Sequence, residues 1–246
     1  MNIITSKANN VVKKAKKLHH KKYRKDSYLI EGWHLFEEAV SSGEELIRIF
    51  ALAEYAEQLA DFSQVIFVSP EILADLADSK TPQGIVAEVA FEREEIPAEL
   101  SGRYLFLEDV QDPGNVGTII RTADAAGFDG VFISSASADI YNLKTLRSMQ
   151  GSHFHLPIYR LATTDLIDLA KKSDLPIFAS TLSDDSIDYQ KLKGSQNFIL
   201  VMGNEGQGIS PEMTEAADIL VHISMKGQAE SLNVAVAAGI LIFHLS

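Results

Sequence analysis

The chain alternates between stretches whose apolar residues recur at helical spacing and short runs that are apolar throughout. Residues 9–22 place Val11, Ala15 and Leu18 on one face and lysines on the rest, which predicts a helix capped by Asn9 or Asn10. Residues 27–30 read as a strand, 33–40 as a helix ending near Gly43, and 46–52 as a strand; 64–68, 72–77 and 84–90 continue the alternation. Residues 91–102 break it. They carry Glu92, Glu94, Glu95, Pro97, Glu99 and Gly102 with little periodic hydrophobicity, the composition of a linker between compact units. Beyond it, strands are expected at 104–107, 130–133, 156–159, 176–179, 198–202 and 219–223. Helices are expected at 117–126, 144–149, 165–171, 211–216 and 231–243. Continuous apolar strands between helices predict an α/β chain whose larger part is a mostly parallel sheet covered on both faces. The expected division is a first domain at 1–90, a linker at 91–102 and a second domain at 103–246.

Composition narrows the chemistry. The absence of cysteine excludes disulfides, thiolate zinc sites, iron–sulfur clusters and a thiol nucleophile. The longest apolar stretch, 234–243, is far below the roughly 20 residues of a membrane span, and no apolar segment with a cleavage site follows the basic start. A cytoplasmic protein with no membrane partner is expected. The net charge of −12, from 34 acidic and 22 basic residues, argues against nucleic acid until its distribution is considered. Lys7, Lys13, Lys14, Lys16, Lys17, Lys21, Lys22, Arg24 and Lys25 all precede the first acidic residue, Asp26. Phosphate backbones respond to local cation density, so this basic head is a candidate RNA-binding surface on an otherwise acidic chain. A solvated helix face is the alternative.

Ligands of open parallel sheets bind at the carboxyl ends of the strands. Three loops expected there are rich in glycine and polar residues: 108–121 (EDVQDPGNVGTIIR), 202–210 (MGNEGQGIS) and 224–233 (SMKGQAESLN). Read singly, each has an ordinary explanation. Asp112-Pro113-Gly114-Asn115 can be a turn with a helix cap, Ser231 and Asn233 a cap and first helical turn, and Arg121 a surface arginine. Gly203, Gly206 and Gly208 follow the order G-x-x-G-x-G, which is neither the dinucleotide fingerprint nor a P-loop. His153 and His155 would share one face of a strand, but no third ligand is near in sequence, so no metal is expected. His19 and His20 fall inside the basic helix. Trp33, on an apolar helix face, reads as core in preference to a base-stacking residue.

Taken together, the three loops resemble the motifs of the SpoU (TrmH-like) branch of the SPOUT methyltransferases. The matching residues are Asn115-x-Gly117-x-x-x-Arg121-x-Ala123, Gly203-Asn204-Glu205-Gly206-x-Gly208, and Met225-x-Gly227 through Ser231-Leu232-Asn233-Val234-x-Val236-Ala237. Lys144-x-x-Arg147-Ser148 through Leu156-Pro157-Ile158 also resembles the family. Ser6, Asn9, Lys13, Lys22, Arg24 and Ile30-Glu31-Gly32-x-His34 resemble its substrate-binding domain, which is similar to a small ribosomal protein. Ser224 departs from the family, in which proline commonly precedes the methionine; loop stiffness is the property expected to change.

The resemblance implies an N-terminal α/β RNA-binding domain and a C-terminal α/β trefoil-knot domain. It further implies S-adenosylmethionine as cofactor, a ribose 2′-hydroxyl of rRNA or tRNA as acceptor, and a homodimer. Arg121, Asn115, Glu205, Ser231 and Asn233 take the catalytic positions. Gly203, Ile223 and Leu232 take backbone contacts to the adenosyl group, joined by Asn204, Gly206, Met225, Thr181 and Leu182. Lys13, Lys14, Lys16, Lys17, Lys21, Lys22 and Arg24 take the RNA contacts. Two other readings stay open at this point: a non-catalytic RNA-binding assembly protein with a decayed catalytic domain, and a nucleotide oxidoreductase, which the glycine spacing disfavours.

Overall fold

The structure is a computed structural model that describes residues 2–91 and 95–246. Its contacts form two units. The first comprises Met1–Arg93 with Asp139–Phe154, and the second Glu94–Ala138 with His155–Ser246. The expected division at 91–102 placed 139–154 in the second domain, whereas their contacts lie in the first; within that expected linker, Glu92, Arg93 and Glu94 lie outside the described residues.

In the first unit, β1 (Ile3–Ile4) precedes α1 (Asn10–Lys17), whose start is capped by Asn9 Oδ1 accepting from Val11 N at 2.8 Å. The helix is shorter than the expected 9–22. His19 and His20 therefore lie in turns outside it, and His19 Nε2 meets the Leu76 carbonyl at 2.8 Å. There follow β2 (Ser27–Glu31), α2 (Trp33–Ser41), β3 (Leu46–Ala51), β4 (Val65–Val68), α3 (Pro70–Leu76) and β5 (Ile85–Ala90). The strands form one mixed sheet in the order β1-β4-β3-β5-β2. Leu29, Ile30, Ile49, Phe50, Ile72, Leu76, Ile85 and Val86 are buried at its core. Trp33 packs edge-on against Phe36 and Tyr55, in keeping with a packing role.

Residues 139–154 dock on this unit through charge and aromatic packing. Arg24, its side chain only 4% exposed, pairs with Asp139. Arg147 reaches the buried Glu31 at 3.2 Å and Asp78 at 2.9 Å, while the Tyr141 ring lies 4.6 Å from that of Tyr28. A buried carboxylate is costly unless its oxygens are satisfied; Glu31 also accepts from Asp78 N and from Ser79.

The second unit begins with β6 (Arg103–Leu107), α4 (Pro113–Ala125) and β7 (Gly130–Ile133). After α5 (Leu143–Met149), which packs in the first unit, it continues with β8 (Ile158–Arg160), α6 (Thr163–Ser173), β9 (Ile177–Ser180) and β10 (Ile187–Asp188). It ends with β11 (Phe198–Met202), α7 (Pro211–Ala216), β12 (Ile219–His222) and α8 (Val234–Leu245). All seven strands are parallel, in the order β10-β12-β9-β11-β6-β7-β8. β11 thus fills the gap between β6 and the earlier β9. Phe198–Met202 is buried at every position, which is why that strand reads as an unbroken apolar run. Tyr104, Phe106, Phe132, Ile199, Val201, Leu166 and Met213 build the core of one face. α8 packs against α4 on the unit's surface.

Candidate active site

β12, β9 and β11 are consecutive in the sheet, so the loops leaving their carboxyl ends are brought side by side although they are far apart in sequence. They enclose a cleft of about 680 Å³. Its walls are Ser180, Thr181 and Leu182 after β9, Met202 to Gly208 after β11, and His222, Ile223 and Met225 after β12. Glu230 to Val234 and Ala237, at the start of α8, complete it. Every expected cofactor-binding residue borders this cleft: Thr181, Leu182, Gly203, Asn204, Gly206, Ile223, Met225 and Leu232.

The β11 loop is tightly closed. The Asn204 and Gly208 backbones exchange hydrogen bonds of 2.9 and 3.0 Å, and Asn204 Oδ1 accepts from the N–H groups of Gly206 and Gln207. A Cβ on Gly203 would lie 2.4 Å from the Gly208 carbonyl carbon, so only glycine fits the crossing. Beneath the loop, the 3%-exposed Glu108 accepts from Ser210 N, Ser210 Oγ and Thr163 Oγ1 at 2.8–2.9 Å. This staple ties the end of β6 to the entrance of α7. Asp109, next in sequence, has φ of 58° and is held there by Ser134, while its carbonyl accepts from Asn204 Nδ2 at 2.8 Å. A non-glycine residue in this region is a strained conformation fixed by its surroundings.

Four of the five expected catalytic residues fall at or beside the cleft. Glu205 accepts from Gln111 N, Asp112 N and Asn115 Nδ2, each at 3.1 Å. Asn115 Oδ1 in turn accepts from Asn233 Nδ2 at 3.1 Å, and Asn233 Oδ1 caps α8 through Ala235 N and Val236 N. One chain of hydrogen bonds therefore joins all three loops. It also corrects the helix start: α8 begins at Val234, with Asn233 as its cap, and Ser231 stands before it on the cleft wall. Arg121 lies on the exposed side of α4, outside the cleft lining, with no hydrogen-bond or ion-pair partner for its side chain among the described residues.

Burial acts to raise the Glu205 pKa, but the Asn115 amide and the backbone N–H groups of Gln111 and Asp112 outweigh it and hold the carboxyl below the ordinary range. A carboxyl depressed in the folded state contributes cohesion that is present above its unfolded value and lost as pH falls through the folded one. The Gln111 and Asp112 amide resonances are expected to titrate together with a midpoint below about 4.3, the ordinary glutamate value, and to lose that titration in Glu205→Gln. A midpoint at or above that value would contradict the assignment.

His222 is a cleft residue with no counterpart among the residues expected from the sequence. Its Nδ1 lies 2.9 Å from Ser186 Oγ and its Nε2 3.3 Å from Ser224 Oγ, and Ser224 also donates to Asp188. Ser224 therefore restrains its loop by hydrogen bonding, and together with the Gln190 backbone N–H it holds the Asp188 carboxyl below its usual range. His222 was findable in principle, since it ends an apolar strand immediately before Ile223; Glu108 was findable as a carboxylate ending β6. Three further expectations change. Residues 152–154 form a tight 3-10 turn, so His153 and His155 do not share a strand face; His153 lies 3.2 Å from Tyr28 Oη and His155 3.5 Å from Asp124. Among the RNA-contact candidates, Lys13, Lys14, Lys17, Lys21 and Lys22 are exposed, and Lys16 is exposed but paired with Asp75 at 2.7 Å. Arg24 is buried in its pair with Asp139 and does not serve as a surface contact.

The SpoU rRNA Methylase family matches residues 102–243, and the MRM3-like substrate binding domain matches residues 9–87. The chain belongs to the SpoU rRNA methylase family. It is 40% identical to the 23S rRNA (guanosine(2553)-2′-O)-methyltransferase RlmP of Bacillus subtilis, across 100% of this chain and 99% of that protein. Among solved structures it is similar to an AdoMet-bound rRNA methyltransferase from Sinorhizobium meliloti, with TM-score 0.89, 32% identity and coverage of 99% and 97% of the two chains. It is also similar to the SpoU methyltransferase AviRb from Streptomyces viridochromogenes in complex with AdoMet, with TM-score 0.84, 26% identity and coverage of 96% and 97%.

Proposed function

We propose that the chain is an S-adenosylmethionine-dependent methyltransferase acting on a ribose 2′-hydroxyl of structured RNA, with ribosomal RNA as its substrate class. The observation that carries this reading is the Glu205–Asn115–Asn233 chain, which ties three glycine-rich loops together at the rim of a nucleoside-sized cleft. The residues present fit the cofactor. Gly203 brings bare backbone to the cleft, and Ile223 and Leu232 can offer main-chain groups to an adenine edge while Leu182, Met225 and Leu232 supply apolar cover. When bound, S-adenosylmethionine supplies an electrophilic methyl group on a sulfonium.

The chain's own residues have to orient the acceptor and handle its proton, because a ribose hydroxyl is a weak acid. A guanidinium is a cation whose planar fork matches a phosphate, so Arg121 is suited to clamping a substrate phosphate, which itself receives the hydroxyl proton. Asn115 uses both ends of its amide within the network and so has one fixed orientation. Glu205 locks the α4 entrance to the β11 loop. Ser231 offers an exposed hydroxyl at the cleft wall.

The active form is a homodimer in the cytoplasm. α8 is apolar on all sides, yet Val236 and Phe243 are 52% and 59% exposed and, seven residues apart, share one face of the helix. Such a stripe is suited to a second copy. Calorimetry is expected to show one S-adenosylmethionine bound per chain and no binding of NAD; the opposite preference would overturn the cofactor reading. RNA affinity is expected to fall when Lys13, Lys14 and Lys17 are changed to Gln. The slope of log affinity against log salt is expected to become shallower by up to about 0.7–0.9 for each phosphate no longer neutralised. Lys16→Gln is expected to do less, since its ammonium already meets Asp75.

A further inference from the structure

Tyr23 stands in the middle of the basic head and takes no part in the core. The residue is 43% exposed, with Lys17 Nζ and Lys22 Nζ over its ring at 5.5 and 5.0 Å from the centroid and the His20 ring edge-on at 6.4 Å. Exposure alone would mean little, since single exposed aromatics are common. What distinguishes this ring is its mounting. It ends the 3-10 turn Lys21–Tyr23, closed by Tyr23 N donating to His20 O at 3.0 Å. The turn is anchored on one side by His19 against the Leu76 carbonyl and on the other by the buried Arg24–Asp139 pair. Among the described residues, Asp75 is already engaged with Lys7 and Lys16, and Asp139 with Arg24. Both ammonium groups lie over the ring on exposed lysine side chains, so an aromatic ring on an anchored turn gives a base a surface once those side chains swing to its flanking phosphates.

The geometry points to Tyr23 as a stacking platform for an unpaired base of the RNA, with Lys17 and Lys22 binding the adjacent phosphates. This rests on the proposal that the head binds RNA, and it adds the kind of RNA bound. Bases inside a duplex offer no free face, so the platform selects a loop or bulge. The test is equilibrium binding of the full chain to an RNA hairpin with an unpaired loop and to a fully paired duplex of equal length, across a salt series. Tyr23→Ala is expected to lower hairpin affinity about tenfold with an unchanged salt slope, and to leave duplex affinity unchanged. Tyr23→Phe is expected to stay within about twofold of wild type, and Lys17→Gln with Lys22→Gln to flatten the salt slope for both RNAs. An unchanged hairpin affinity in Tyr23→Ala, an equal loss on both RNAs, or a loss in Tyr23→Phe equal to that in Tyr23→Ala would overturn the platform while leaving RNA binding intact. Wild-type chain that binds neither RNA would overturn the RNA reading itself. Because the ring is on the surface, unchanged thermal midpoints of the variants are the accompanying check on folding.

Discussion

Arg121→Ala is expected to lower the single-turnover rate of methyl transfer by about 10²–10³-fold while S-adenosylmethionine affinity stays near that of wild type. The separation of the two readouts follows from where the side chain sits. Arg121 projects from the exposed side of α4, beyond the cleft lining, so its removal disturbs neither the Gly203–Gly208 loop nor the Glu205 network. The helix is secured upstream, where Asp112 Oδ1 caps it by accepting from Gly114 N and Asn115 N at 2.8 and 2.9 Å. Stability is therefore expected to change by less than about 0.5 kcal/mol. Arg121→Lys is expected to recover little activity, because an ammonium keeps the charge but lacks the planar fork that holds a phosphate in one orientation. An arginine that served only to solvate the helix would give less than about a twofold change in rate, and that result would remove it from the catalytic set.

The second large effect is expected from Gly203→Ala. The added methyl would meet the Gly208 carbonyl carbon, Ile209 N and Gly208 O at 2.4–2.6 Å, all of them backbone atoms that no side-chain rotation can clear. The loop must open by several tenths of an ångström or more, which breaks the Asn204–Gly208 pairing and shifts Glu205 away from Asn115. A displacement on the ångström scale in a positioned site costs about 100-fold in rate, so single-turnover methyl transfer is expected to fall by about that factor, with S-adenosylmethionine affinity measured by calorimetry falling alongside it. Gly208→Ala is the control. Its φ of 70° disfavours a side chain, but nothing lies within 4 Å of the added carbon. Only backbone strain of about 1–2 kcal/mol is then expected, with cofactor affinity largely kept. Equal effects of the two substitutions would show that loop strain, and not the close crossing at Gly203, controls the cleft.

The strands of the second unit were legible because a parallel sheet covered on both faces demands unbroken apolar runs, and 130–133 and 198–202 match the observed Gly130–Ile133 and Phe198–Met202. The loops at the strand ends were legible through glycine clustering. What could not be read were consequences of contacts remote in sequence. The Arg24–Asp139 pair joins residues 115 positions apart, and nothing local at Arg24 distinguishes a buried ion-pair partner from a surface cation. The packing of 139–154 into the first unit has the same origin, since α5 has ordinary helical spacing and its partners Glu31 and Asp78 lie far upstream. β1 and β10 are two residues long, too short to show alternation, and exist because β4 and β12 present open edges. Ser231 attracted the helix start because serine caps helices well, but Asn233 holds the cap since it alone also reaches Asn115.

Every residue role above converges on methyl transfer to an RNA ribose. Its most direct test incubates the chain with total RNA from a strain lacking its gene, using S-adenosylmethionine labelled in the methyl group, and then maps the modified nucleotide. The predicted result is label on a single ribose 2′-oxygen of ribosomal RNA, incorporated about 10²–10³-fold more slowly when the enzyme carries Arg121→Ala. Label on a base would contradict the ribose assignment, and no label on any RNA would contradict catalysis, leaving an RNA-binding protein whose cleft serves another purpose.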